Sequence, residues 1–109
     1  MDRFKVVNGT TQISANVSTT ADQTYNSDVL LAGDVQLAAA NVVFDRTVNG
    51  NNHNLDVTGN AVFGDAAADM VTGIVALDVS GTTAIFTDTI TTGGTQEYHD
   101  DVTLHAVAF

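Results

Sequence analysis

The chain has 109 residues, with 13 Asp and Glu against 3 Lys and Arg, a formal charge of -10; such a surface repels nucleic-acid phosphates and anionic membranes, so neither is expected as a partner. Cysteine is absent, which excludes a disulfide framework, a thiolate metal site and thiol redox chemistry. The length fits a single domain, 1–109, with a narrow core.

From the start, Met1 to Gly9 lacks the apolar run of roughly seven residues that a signal peptide requires, so no signal peptide is expected in this chain. The longest apolar runs, around Ala38 to Ala40 and Val42 to Phe44, fall far below the roughly 18 residues of a membrane-spanning helix, and no membrane insertion is expected. Turn clusters follow one another along the chain: Asn8-Gly9, Ala32-Gly33-Asp34, Asn49-Gly50-Asn51-Asn52, Thr58-Gly59-Asn60, Ser80-Gly81 and Gly93-Gly94. Between them lie short pieces of period-two alternation, Val35-Gln36-Leu37, Leu55-Asp56-Val57-Thr58 and Val75 to Ser80. Each has its apolar side chains on one face and is too short for an ordinary open sheet. The abundance of Val and Thr favours strands, and Asn, Asp and Gly favour the tight turns between them.

Two repeats are superimposed on this pattern. The longer relates a copy near 9–31 to a copy near 81–104. Gly9-Thr10-Thr11-Gln12-Ile13 matches Gly81-Thr82-Thr83-Ala84-Ile85, and Gln23, Tyr25, Asp28, Val29 and Leu31 match Gln96, Tyr98, Asp101, Val102 and Leu104. The shorter relates Leu55-Asp56-Val57-Thr58-Gly59 to Leu77-Asp78-Val79-Ser80-Gly81, and Asn41-Val42-Val43-Phe44 to Asn60-Ala61-Val62-Phe63. A period near 20 with several short strands per period is the pattern of a β-solenoid, whose coils bury their apolar faces only by stacking on one another. The fold class expected is therefore all-β, a parallel β-solenoid of about five coils. Val35, Leu55 and Leu77 should form one column, and Phe44, Phe63 and Phe86 another. A small antiparallel β-sandwich is the alternative, although it does not require the self-similarity.

The blocks Thr19 to Leu31 and Thr91 to Leu104, with Asn41 to Gly50 and Gly81-Thr82-Thr83-Ala84-Ile85, occur in an order that resembles the filamentous-haemagglutinin-like and autotransporter-like adhesins of bacterial surfaces. The resemblance covers nearly the whole chain from Gly9 onward. It implies a right-handed parallel β-helix, export as part of a larger secreted protein to the cell surface, and a structural role as an elongated scaffold or stalk.

Candidate chemistry is sparse. His99-Asp100-Asp101 with His105 offers nitrogen and oxygen donors, but the first copy has Asn26 and Asp28 where the second has His99 and Asp101, which reads as a solvated position; no metal site is expected. Calcium would suit Asp65 to Asp69, or Asp34 and Asp45, yet the nonapeptide and helix-loop-helix calcium patterns are both missing; no cofactor is expected, with calcium the alternative. Asp100 and Asp101, if extended, point to opposite faces and cannot flank one bond. No nucleophile elbow or phosphate loop is present, so no catalytic residue is expected. Tyr25 and Tyr98 occupy equivalent positions and are the candidate binding residues, stacking on a sugar ring if exposed and anchoring a corner if buried. Asn8-Gly9-Thr10 and Asn16-Val17-Ser18 fit the glycosylation acceptor pattern by chance in so Asn- and Thr-rich a chain. The expected partners are a second copy, stacked end to end, and a host glycan or matrix protein.

Overall fold

The computed structural model describes residues 4–6 (as backbone), 10–64, 70–87 and 89–104. Among them run β1 (Phe4–Val6), β2 (Thr10–Ile13), β3 (Val17–Ser18), β4 (Gln23–Tyr25), β5 (Asp28–Leu31), β6 (Val35–Phe44), β7 (Val48–Phe63), β8 (Met70–Val79), β9 (Thr83–Ile85), β10 (Thr89–Thr92), β11 (Gln96–Tyr98) and β12 (Val102–Leu104). The long strands turn corners: β6 and β8 each contribute to two faces of a coil, and β7 to three. Every pairing among these strands is parallel. The fold is thus a parallel β-solenoid of about five coils, and the antiparallel sandwich is overturned.

Three faces recur. On the first, Phe4 pairs with Gln23, then Val42, Ala61, Thr83 and Val102, at steps of 19, 19, 19, 22 and 19 residues. On the second, Val29 pairs with Val48, Val71 and Ile90. On the third, Val35 pairs with Leu55, Leu77 and Gln96. The ladder continues around the corners, where Thr19 N–H donates to Ala38 O, Ala40 N–H to Ala21 O and Gly81 N–H to Gly59 O, all at 2.9 Å. Coil-to-coil bonding is therefore almost continuous, which satisfies backbone groups that the narrow cross-section would otherwise strand.

Registration converts each inward position into a column. Tyr25, Phe44 and Phe63 are fully buried, with successive ring centroids 5.4 Å apart and interplanar angles of 12° and 6°. The offset-stacked contact of flat rings matches the strand spacing of about 4.8 Å closely enough to need no change of rotamer from coil to coil. Val35, Leu55 and Leu77 stack as expected from the sequence. Phe86 does not join the aromatic column: Phe63 pairs with Ile85, and Phe86 is half-buried. The step from Ala61 to Thr83 is 22 residues, whereas Phe86 follows Phe63 by 23, so the likeness of the two phenylalanines runs one residue out of register.

Polar side chains form ladders of their own at a corner. Asn41 Nδ2 donates to Asp22 Oδ1 at 3.0 Å, Asn60 Nδ2 to Asn41 Oδ1 at 3.1 Å, and Thr82 N–H to Asn60 Oδ1 at 2.9 Å. Close approach at this corner requires glycine at position 59, where φ is +123° and an added Cβ would run into the carbonyl oxygen of Ala39.

The middle ring of the aromatic column is touched from both sides, so Phe44→Ala removes two stacked contacts and leaves a cavity; a loss of about 3–5 kcal/mol is expected by chemical denaturation. A loss below about 1 kcal/mol would mean that the column does not hold the coils together.

Candidate functional site

The two tyrosines proposed from the sequence belong to one local device built twice. Gln23 Nε2 donates to Val17 O and Ala38 O, both at 3.0 Å, and Tyr25 Oη–H donates to Gln23 Oε1 at 2.8 Å. In the second copy Gln96 Nε2 donates to Ile90 O at 3.0 Å, and Tyr98 Oη–H donates to Gln96 Oε1 at 2.9 Å. The preceding threonines also correspond: Thr19 Oγ1 donates to Ala21 O and Thr92 Oγ1 to Gly94 O. Glutamine in this position ties one strand to the strand six residues earlier, and tyrosine fills the interior while satisfying the amide oxygen. The copies do not sit on the same face, however. Gln23 to Tyr25 lies on the first face and Gln96 to Tyr98 on the third.

Exposure separates the pair. Tyr25 is fully buried under the next rung, which removes its ring from any sugar-stacking surface, whereas Tyr98 is half-buried and Gln96 exposed. Burial pushes the Tyr25 phenol up to about 12, and also raises that of Tyr98.

Other candidates take structural duties. Asp34 Oδ1 accepts from Asn54 N–H at 2.9 Å and lies 3.7 Å from His53 Nδ1, while Asn16 Oδ1 accepts from Gln36 N–H at 2.8 Å. Asp45 N–H donates to Tyr25 O. Asp100 lies in a bend and Asp101 just ahead of β12, neither in a strand, and Asp100 Oδ1 accepts from Asp101 N–H. Asp65 to Asp69, Asn8 and His105 lie outside the described residues.

One assembly was missed from the sequence. The outward column of the third face reads Gln36, Asp56, Asp78 and Glu97, so three carboxylates stand on successive rungs. His99 does not join Asp100 and Asp101; its N–H donates to Val79 O at 3.1 Å, and its Nε2 lies 3.0 Å from Asp78 Oδ1. Donor atoms of Asp78, Glu97 and His99 all lie within 4.8 Å of one another. The match of Leu55-Asp56-Val57 with Leu77-Asp78-Val79 already placed the first two acids in one column. Glu97 was hidden because the stretch around it was aligned with Gln23 to Tyr25 instead of with Leu77 to Val79.

The column raises the Asp56 carboxyl above its ordinary range, first through desolvation and then through the charge of Asp78, with His99 acting the other way. A folded state that binds the proton more tightly than the unfolded chain loses stability as pH rises through the interval between the ordinary and the raised value, and the cost is fully present above it. Asp56→Asn is therefore expected to raise the melting temperature at pH 7 and to flatten that pH dependence; a lower melting temperature would contradict the like-charge account. For the tyrosines, absorbance titration at 295 nm should show Tyr98 ionising first, and Tyr25 only as the fold is lost between about pH 10 and 12, because the unfolded chain releases that proton earlier. Two equivalent steps without unfolding would show that Tyr25 is not enclosed. Compared with known proteins, the chain matches no family model, no curated protein and no solved structure.

Proposed function

We propose that this segment is a non-enzymatic scaffold of an extracellular bacterial adhesin, one stretch of a longer solenoid at the cell surface. The observation that carries the reading is the continuity of the interior columns. Tyr25, Phe44, Phe63 and Ile85 on the first face, and Val35, Leu55 and Leu77 on the third, are buried by the coils before and after them. In such an architecture each added coil brings its own interface, and stability and length increase together. The ordered blocks that resemble adhesin repeats support the location. The elongated shape expected from the sequence belongs to the longer array: this segment measures 37 × 26 × 25 Å, since five coils at about 4.8 Å rise only about 24 Å.

End-to-end association with a second copy is part of the proposal. The last described rung shows the apolar surface for it, with Val102 40% and Leu104 58% exposed where Thr83 and Ile85, directly beneath them, are 2% and 9%. The two ends are not simple complements, because β1 and β12 both occupy the first face. A second copy whose β2 lay on β10 and whose β3 lay on β11 would place its β1 where β12 already sits, so association proceeds by exchange of one strand for the other. The alternative of a glycan- or protein-binding face now rests on Tyr98, with Tyr25 buried.

Antibodies raised against the folded chain should label intact cells of the source organism; labelling only after lysis would overturn the surface location. In light scattering across a wide concentration range the chain should self-associate, and Leu104→Lys should suppress it. A strict monomer would sink the end-to-end component and leave the scaffold reading standing.

A further inference from the structure

The outward column of the third face poses an electrostatic problem that the rest of the fold does not resolve. In a parallel, in-register stack, Asp56, Asp78 and Glu97 have no freedom to alternate with residues of opposite sign, as cross-strand neighbours in antiparallel sheets often do. Like charges on adjacent rungs are unfavourable, and the side chain set against Asp78 is the imidazole of His99.

That imidazole is placed rather than merely near. The backbone of His99 is tied to Val79 O, the next residue after Asp78, which returns the ring over the Asp78 carboxylate with Nε2 at 3.0 Å from Oδ1. The long repeat supplies an internal comparison. The Thr-x-x-x-Gln-x-Tyr frame is the same in both copies, which share three side-chain hydrogen bonds. Within that frame the first copy has Thr24 and Asn26, and the second has Glu97 and His99. Both donor residues thus differ from the first copy in the copy that lies beside Asp78.

We propose that Asp78, Glu97 and His99 form a surface site for a divalent transition-metal ion of the zinc type, with Asp56 as the adjoining carboxylate. One imidazole nitrogen and two carboxylates are a borderline donor set suited to such an ion, while calcium prefers six to eight oxygens and does not use imidazole. Metal–ligand bonds of about 2.0–2.2 Å hold donors closer than the 4.8 Å limit of this group, and rotation of the exposed Glu97 and His99 side chains closes that difference. The remaining positions fall to water. The proposal does not depend on the scaffold reading, and neither stands or falls with the other.

The test is titration of the chelator-treated full chain with zinc chloride, followed by calorimetry and by the NMR resonances of the histidine rings. One zinc per chain is expected, with the His99 ring signals moving and excess calcium failing to displace the ion. Glu97→Thr and His99→Asn, which install the residues of the first copy, should each weaken binding by at least about tenfold, Asp78→Asn likewise, and His53→Asn should leave it unchanged. Absence of binding, displacement by calcium, or binding that the three ligand variants leave intact would overturn the proposal. The His99 signals of the unsubstituted chain decide the matter even if a variant fails to fold: zinc binding that does not move them also overturns it.

Discussion

Parallel, in-register pairing is the constraint on which the rest of the structure depends. Once Gln23 pairs with Val42 and Val42 with Ala61, every side chain in the coil is assigned a neighbour above and below, one strand spacing away. Among the described residues the coil has no second layer to pack against; the buried core is made of what projects inward from its own three faces. Flat rings, β-branched side chains and carboxamides tolerate such stacking because each can repeat its own geometry along the axis. The aromatic column and the Asp22, Asn41, Asn60 ladder are two solutions of the same problem, one by dispersion and one by hydrogen bonding.

The same rule works against the protein wherever a charge recurs at one position. The acidic composition is mostly harmless at corners, where Asp34 and Asp22 accept hydrogen bonds from the following coil. It becomes costly on the third face, where Asp56 and Asp78 are forced together by the pairing that buries Leu55 on Leu77. Net charge explains solubility in a general way, but only the register reveals which carboxylates repel one another.

Much of the fold was legible because columns leave a direct trace in sequence: Val35, Leu55 and Leu77 could be read from their spacing alone. Within the described aromatic column Phe44 and Phe63 were legible but Tyr25 was not. In sequence Tyr25 matches Tyr98 of the long repeat rather than Phe44, on which it stacks, and Phe86 resembles Phe63 although Ile85 occupies the place. The cause is the variable coil length. Ala61 and Val71 are separated by 10 residues, against 6 between Val42 and Val48, and a repeat with an unequal corner cannot be aligned by similarity alone. The tyrosine device was visible as a conserved pair of letters within the chain, yet its purpose was not, because the partner of the glutamine is a backbone carbonyl six residues earlier. In sequence His99 adjoins Asp100 and Asp101, whereas its partners in space, Asp78 and Val79, come from the previous coil.

The displacement of the tyrosine device from the first face to the third has a consequence for longer chains. Its two copies lie 73 residues apart, one face short of four complete coils. A protein built by repeating the 73-residue unit would therefore carry the corresponding surface of each successive copy on the preceding face, and only every third copy would look out in the same direction. Whatever such surfaces bind would be distributed around the axis in a slow spiral, set by the arithmetic of residues per coil and not by any flexibility of the backbone.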